Sequence, residues 1–329
     1  ETAFSQGAAV GAGVIVAQYL GAGDKKSVSD AVHTSLVIAG ILGIVLTIAG
    51  IVLSRQLLEW MKTPDEVMEQ AVTYFRLYSA GMFFGIIYNM AAGILNAAGN
   101  SKRSLLYLAV ASFTNIVLDI LFIAILDMGV AGAAIATDIS QAVSCILSMA
   151  FLMRVKDSYQ VSLKKLKIHR RIAGSMIRVG LPTGIQNMVI SLSNVLVQTS
   201  VNGFGAAAMA GYTAYLKVDG FNILPVMSFS MAVTTFAGQN YGAGNYDRVK
   251  KGMYVTLAMG VVYTVLTGAL LLTFDDQIMG MFSRDAEVIT CGKLAMKYFC
   301  PFYFILSILH GLSGALRGVG KSIPPMVVL

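Results

Sequence analysis

Asp119 is an acid set inside the apolar run Ile116–Leu126. A carboxylate at the centre of a membrane helix costs about 2.5–3.5 kcal/mol on insertion scales, so its presence calls for a reason. Asn115 stands four residues earlier, on the same helical face. Thr137 lies in the following apolar run, and at the rise of an α-helix both Asp119 and Thr137 reach roughly 10–12 Å below the outer surface. Carboxylate, amide and hydroxyl oxygens suit a hard cation such as Na+. A desolvated carboxylate can instead hold a proton. The competing reading is a buried acid locked by its Asn neighbour for structural reasons, and the residues alone leave both open.

Other polar residues inside apolar runs carry less. Asp138 adjoins Thr137 but points about 100° away around the helix. It serves either as a second carboxylate near the site or as a partner for another helix. Lys217 and Asp219 lie ahead of Pro225 in one run; residues two apart do not face each other, so each needs its own partner, for coupling or for structure. Asn89 and His310 are candidates for a substrate path, against the plainer role of satisfied hydrogen-bonding groups. Cys145, Cys291 and Cys300 show no ligand spacing and read as small apolar residues. No metal set is expected beyond Na+ at Asp119, and no cofactor.

The elements that carry these residues are membrane spans. Of 329 residues, 56% are hydrophobic and 12% charged, about half the charge share of a soluble domain. Apolar runs long enough to cross a bilayer fall at about Thr2–Leu20, Val32–Leu53, Val72–Ala97, Leu105–Leu126, Val130–Met153, Ile172–Val201, Ala206–Ala237, Met253–Phe274 and Leu294–Leu316, and another begins at Ser322. Pro182 is expected in the first turns of its span, and Pro225 should kink its own. Alternate loops hold 17 of the 24 basic residues, with acids such as Glu66 and Asp285 on the opposite set. The positive-inside rule puts the basic loops in the cytoplasm and the chain in a cell membrane. The net charge of +7 tracks loop parity without an aromatic platform, which argues against nucleic acid. No His-Glu-x-x-His or Gly-x-Ser-x-Gly motif points to an enzyme, and Gly21-Ala22-Gly23 lacks the Lys-Ser/Thr of a nucleotide loop.

One register repeats through the chain at an offset of 221 residues. Gln18-Tyr19-Leu20-Gly21-Ala22-Gly23 returns as Gln239-Asn240-Tyr241-Gly242-Ala243-Gly244. The same offset carries Gly93, Leu95, Gly99 and Ser101 onto Gly314, Leu316, Gly320 and Ser322. Two homologous halves in so apolar a chain are how many transporters are built. Both Gly-Ala-Gly loops fall on the basic side, so each half holds an even number of spans. The repeat then expects a parent of two pseudo-symmetric six-helix lobes and about 430 residues. About nine to ten spans are present here, and the chain reads as a fragment lacking the first helix and most of the last two, unable to transport as it stands. The expected divisions are an N-terminal lobe at 1–154 (helices 2–6), a basic cytoplasmic connector at 155–171, and a C-terminal lobe at 172–329 (helices 7–10 and the start of 11).

Phe236-Ala-Gly-Gln-Asn-Tyr-Gly-Ala-Gly-Asn-Tyr-Asp-Arg-Val249 resembles the signature after the eighth helix of the multidrug and toxic compound extrusion (MATE) family. Gly180-Leu-Pro-Thr-Gly184, Ala97-Ala-Gly-Asn-Ser101, and Asn115-Ile-Val-Leu-Asp119 followed by Gly129–Thr137 resemble its seventh helix, its helix 4–5 turn, and its fifth and sixth helices. The resemblance implies an all-α multi-pass membrane protein. It implies a monomeric antiporter exporting small organic, amphipathic or cationic compounds in exchange for Na+ or H+, with lipids around it. It also implies that Asn115, Asp119 and Thr137 form the cation site together with an acid on the first helix. Family members with acids in helices 7 and 10 have a second-lobe site, but Ile172–Val201 and Leu294–Leu316 contain no Asp or Glu. A lipid-linked oligosaccharide flippase of the same superfamily is the alternative. It would need several cations in its cavity, whereas Lys217 is the only Lys or Arg well inside a span, and Arg317 can snorkel from a helix end.

Overall fold

The computed structural model describes residues 2–61 and 63–328, and every regular element among them is helical. The fold is an all-α multi-pass membrane fold. Seven helical segments are long and apolar enough to cross a membrane: Lys25–Trp60, Asp65–Ala97, Ser101–Ile125, Gly129–Arg154, Ala206–Gly242, Tyr246–Thr273 and Ala286–Gly318. Helices also cover the two other expected spans, as α1 (Thr2–Gly21) and α6 (Arg170–Asn202). Leu105, Phe113, Ile116 and Val117 are exposed on one of the spans, as suits side chains whose solvent is lipid.

The chain divides into two compact units, residues 1–184 and 185–329. The first holds α1, α2 (Lys25–Trp60), α3 (Asp65–Ala97), α4 (Ser101–Asp119), a π-helical turn (Ile120–Ile125), α5 (Gly129–Arg154) and the beginning of α6. In it α3 packs against α1, α2 and α5, around Val16, Val28, Met90, Ile94 and Leu95. The second holds the rest of α6, α7 (Ala206–Gly242), α8 (Tyr246–Thr273), α9 (Asp275–Gly280), α10 (Ala286–Phe299), a 3₁₀ turn (Cys300–Phe302), α11 (Tyr303–Gly318) and α12 (Ile323–Val328). Its core gathers Tyr215, Leu271, Met279, Met296, Cys300 and Tyr303.

The sequence repeat reappears in the backbone, turn for turn. Gly23 and Gly244 have φ of 71° and 74°, and Gly99 and Gly320 have 75° and 80°, a region that costs glycine nothing. The residue after each of the four donates back to the carbonyl five positions earlier: Asp24 to Tyr19, Asn245 to Asn240, Asn100 to Leu95 and Lys321 to Leu316. That closing bond satisfies a carbonyl at each helix end. Helix contacts repeat as well. A Cβ on Gly93 would stand 2.8 Å from the Ala9 carbonyl oxygen, and one on Gly314 would stand 2.5 Å from that of Ser230. Ala9 and Ser230 are themselves related by the offset, so α1–α3 and α7–α11 are the same close-packed pair made twice.

Two expectations about helix ends are corrected. Pro182 lies well inside α6, which begins at Arg170, rather than in its first turns. The apolar run Leu294–Leu316 is not one helix: it breaks into a 3₁₀ turn with Pro301 at its start. Gly268 of α8 admits that turn, since a Cβ there would meet the Cys300 carbonyl oxygen at 3.0 Å.

The connector is held to α2 by two histidines. Buried His33 places Nδ1 2.6 Å from the Ser29 carbonyl oxygen, while Nε2 accepts from the Ser162 N–H at 2.9 Å. That pairing fixes the neutral tautomer with its proton on Nδ1. The Thr34 hydroxyl accepts from the His169 N–H at 3.2 Å and lies 3.2 Å from the Lys167 carbonyl oxygen.

Candidate functional site

On α4 and the π-helical turn that follows it, Ala111, Asn115, Leu118, Asp119 and Phe122 share one stripe. Ala111 is buried and the others half-buried, while the rest of the helix is largely exposed. That stripe is the face α4 turns to α5. The α-helical hydrogen-bond pattern ends at Asp119 and a π-turn follows, in which Leu126 N–H reaches back five residues to the Leu121 carbonyl. Such turns are rare and concentrate at functional sites, because they widen the helix and re-aim the side chains beside them. Asp127, at a φ of 52°, and Gly129, at 54°, then reverse the chain into α5. Gly132 lets α5 close on the π-turn, since a Cβ there would meet Phe122 Cβ at 3.0 Å.

Asp119 Oδ1 and Asn115 Nδ2 are buried atoms without a hydrogen-bond partner among the described residues. An unpaired buried polar atom costs about 1–3 kcal/mol, and each such atom in a native protein asks for an explanation, a ligand among them. Turning the Asn115 amide over would present its oxygen in the same place without changing its shape. The carboxylate and the amide can therefore offer oxygens from one helical face. Thr137 donates its hydroxyl proton to the Ala133 carbonyl of its own helix at 3.0 Å, which leaves the oxygen lone pairs free to accept.

Asp138 turns elsewhere. Its carboxylate lies directly over Gly81 of α3, and Gln141 covers Gly85 one turn along. Asp138 Oδ1, like Asp119 Oδ1, is a buried atom without a hydrogen-bond partner among the described residues, here at the contact of α3 and α5. Asn89 donates to Ser5 Oγ at 3.3 Å, tying α3 to α1.

In the second unit Lys217 is exposed, and no ion pair to it is found among the described residues. Asp219 is half-buried, one turn along α7 from Tyr215, which faces Tyr303. The two phenol oxygens are 3.2 Å apart. His310 is buried, and its backbone carbonyl accepts from Ser230 Oγ at 2.8 Å. Arg317 does not reach outward from its helix end: Nη1 donates to Gln186 Oε1 at 3.3 Å and Nη2 to Ser230 Oγ at 3.1 Å. Sequence reasoning overlooked Tyr215, Tyr303, Gln186 and the π-turn. Only the spacing of Tyr215 and Asp219, one turn apart, was visible in the chain. Among the described residues no cluster of His, Cys, Asp and Glu could hold a metal ion.

Comparison with known proteins bears on this arrangement. The MatE family profile matches residues 2–121 and 182–329. The chain is 28% identical over 314 residues to the "Probable multidrug resistance protein YpnP" of Bacillus subtilis, covering 95% of this chain and 70% of that protein. It is 28% identical over 326 residues to the "Probable multidrug resistance protein NorM" of Thermotoga maritima, covering 98% and 70%. A solved structure of MATE in the bent conformation superposes with a TM-score of 0.92 at 26% identity, covering 99% of this chain and 72% of that one. A MOP superfamily transporter from Pyrococcus furiosus, described as having a binding pocket of reverse polarity and a different function, gives 0.93 at 26% identity, covering 99% and 74%.

Proposed function

This chain belongs to the MatE family, and we propose that it is part of an antiporter that exports organic, amphipathic or cationic compounds across the cell membrane in exchange for Na+ or H+. The reading rests on one observation: Asp119 and Asn115 keep buried, unpaired polar atoms on one face of a span, beside a π-turn. The energetics favour a loaded site over a structural lock, because a locked pair would satisfy its own atoms. The coupling ion binds at Asp119, with Asn115 and Thr137 supplying neutral oxygens. A carboxylate there neutralises Na+ or takes up a proton, and exchange of that ion biases the two faces of the transporter. The lobes of this reading are residues 1–154 and 172–329, with the basic connector 155–171 in the cytoplasm. The transporter works as a monomer among lipids.

Relatives named for multidrug resistance support organic cargo. The flippase alternative needs a cavity rich in cations, and Lys217 is exposed while Arg317 is engaged by Gln186 and Ser230. Efflux of a cationic dye from cells making the intact protein, set against accumulation of lipid-linked precursors in a deletion strain, decides between them. Gradient-dependent efflux supports the antiporter; precursor accumulation with no efflux supports the flippase.

A further inference from the structure

The segment that joins α5 to α6 is fixed on one side and bare on the other. Tyr159 and Val161 are buried in the core of the first unit, and the Val161 N–H donates to the Leu152 carbonyl at 2.9 Å. His33 accepts from the Ser162 N–H, and Thr34 accepts from the His169 N–H while its hydroxyl donates to the Lys167 carbonyl. Backbone groups are thus paired with α2 at both ends of 162–169, which sets the path of the chain between them. That path opens with a 3₁₀ turn, Leu163–Lys165.

This frame turns two kinds of side chain outward. Lys164, Lys165, Lys167, Arg170 and Arg171 are all exposed, and none makes an ion pair among the described residues. The nearby acids are turned elsewhere: Asp157 accepts from its own neighbour, the Ser158 N–H, and Asp30 Oδ1 lies 3.8 Å from His169 Nε2. No Asp or Glu follows in the sequence from 158 to 218. Between the charges, Leu163 is 60% exposed and Leu166 and Ile168 are each 41% exposed. A charge run alone would be a solvated loop, and the turn between α1 and α2 is of that kind: Lys25 and Lys26 are exposed with no large exposed apolar side chain beside them. Water suits lysine but not leucine, whereas the boundary of a bilayer suits both, with cations at the phosphates and apolar groups at the start of the acyl chains. A segment that runs from the end of one span to the start of the next, Arg154 to Arg170, is held at that boundary.

We propose that residues 163–171 are a seat for anionic phospholipid headgroups. The lysines and arginines meet the lipid phosphates, and Leu163, Leu166 and Ile168 enter the layer between headgroups and acyl chains. With the basic loops in the cytoplasm, the leaflet concerned is the cytoplasmic one, where anionic lipids attract such clusters. Because the same segment is bonded to His33 and Thr34, lipid seated there ties α2 and the start of α6 to one leaflet. The seat is independent of the Asp119 site and of what is exported.

Thermal unfolding of the purified full chain in neutral detergent, titrated with phosphatidylglycerol or with phosphatidylcholine of the same chain length, reads the seat. Phosphatidylglycerol should raise the unfolding temperature well beyond phosphatidylcholine, and inorganic phosphate should not. Lys164→Gln combined with Lys165→Gln and Lys167→Gln should weaken the apparent affinity roughly fivefold for each charge removed. Without lipid, that variant should unfold at the wild-type temperature, because these side chains have no ion-pair partner to lose. Leu163→Ser with Leu166→Ser should weaken the response less, and Lys25→Gln with Lys26→Gln should leave it in place. Equal responses to the two lipids, a triple variant that keeps the wild-type response, or an equal loss in the Lys25–Lys26 variant overturns the proposal. A response that inorganic phosphate reproduces also overturns it, since the charges would then hold a free anion. Dye efflux in the same variants is scored separately: the expected lipid response in a protein without efflux counts against the antiporter reading and leaves the seat standing.

Discussion

Asp119 ends an α-helix at a π-turn with Oδ1 unpaired, whereas Asp219 sits within an unbroken α7, one turn from a tyrosine whose hydroxyl pairs with Tyr303. Both are acids inside membrane spans, and insertion penalises each by a similar amount. What separates them is how the polar groups beside them are paired. One turn from Asp119 stands an amide whose Nδ2 is also buried and unpaired, so the carboxylate is left to compensate with something from outside. One turn from Asp219 stands Tyr215, whose hydroxyl is already paired with that of Tyr303 across to α11. An intramembrane acid therefore does not define a single kind of site; the pairing of the groups beside it does.

The sharpest way to break the comparison is Asp119→Asn in the intact transporter. Removing a charge lowers the transfer cost, so membrane insertion should be unchanged. The amide can neither neutralise Na+ nor accept a proton, so gradient-driven dye efflux should fall to background. Normal efflux from this variant would show that the first unit's acid is structural.

Next in size are the paired glycines. Gly314→Ala and Gly93→Ala place a methyl group 2.5 Å and 2.8 Å from a neighbouring helix carbonyl oxygen. Each should cost about 1–3 kcal/mol as overpacking, the second-unit variant more, measured as a loss of thermal stability in detergent. Tolerance of alanine at one position and not at the other would mean that the two helix pairs are not packed alike. Smaller still, Asn115→Ala and Thr137→Ala each remove one neutral ligand worth about 1 kcal/mol. The ion concentration for half-maximal efflux should rise roughly fivefold in each, and complete loss from either would show that it does more than coordinate.

The smallest effect concerns the caps that the repeat writes differently. Asp24 caps α2 through Ser27 N–H at 3.0 Å, while its counterpart Asn245 makes no side-chain cap bond. Hydrogen bonds from Ser27 hold the Asp24 carboxyl below its ordinary range. A carboxyl lowered in the folded state stabilises it above the unfolded value, and that share is lost as pH falls through the folded value. Asp24→Asn should thus slightly flatten the acid limb of the stability–pH curve, and Asn245→Asp should steepen it. A curve unmoved by either change would remove the cap from the account.

Much of this was readable in the chain itself because it depends on local rules. The spans follow from apolar run length, and the four positive-φ glycines follow from a repeat that copies turn residues in register. Asp119 with Asn115 was visible because both lie on one helix face, one turn apart. Three things were not visible. The π-turn after Asp119 has no sequence signature in an otherwise uniform apolar run. Arg317, directly after its run Leu294–Leu316, reads as a snorkelling charge until Gln186 and Ser230 are brought to it from 131 and 87 residues away.

The pairing of Tyr303 with Tyr215 was out of reach for the same reason, since the two stand 88 residues apart. Composition, periodicity and repeat determined that this is a two-fold helical membrane protein with an acid in each half. Which polar atoms near each acid are paired was decided only by tertiary packing, because hydrogen-bond donors are counted in space and the chain lists them in order.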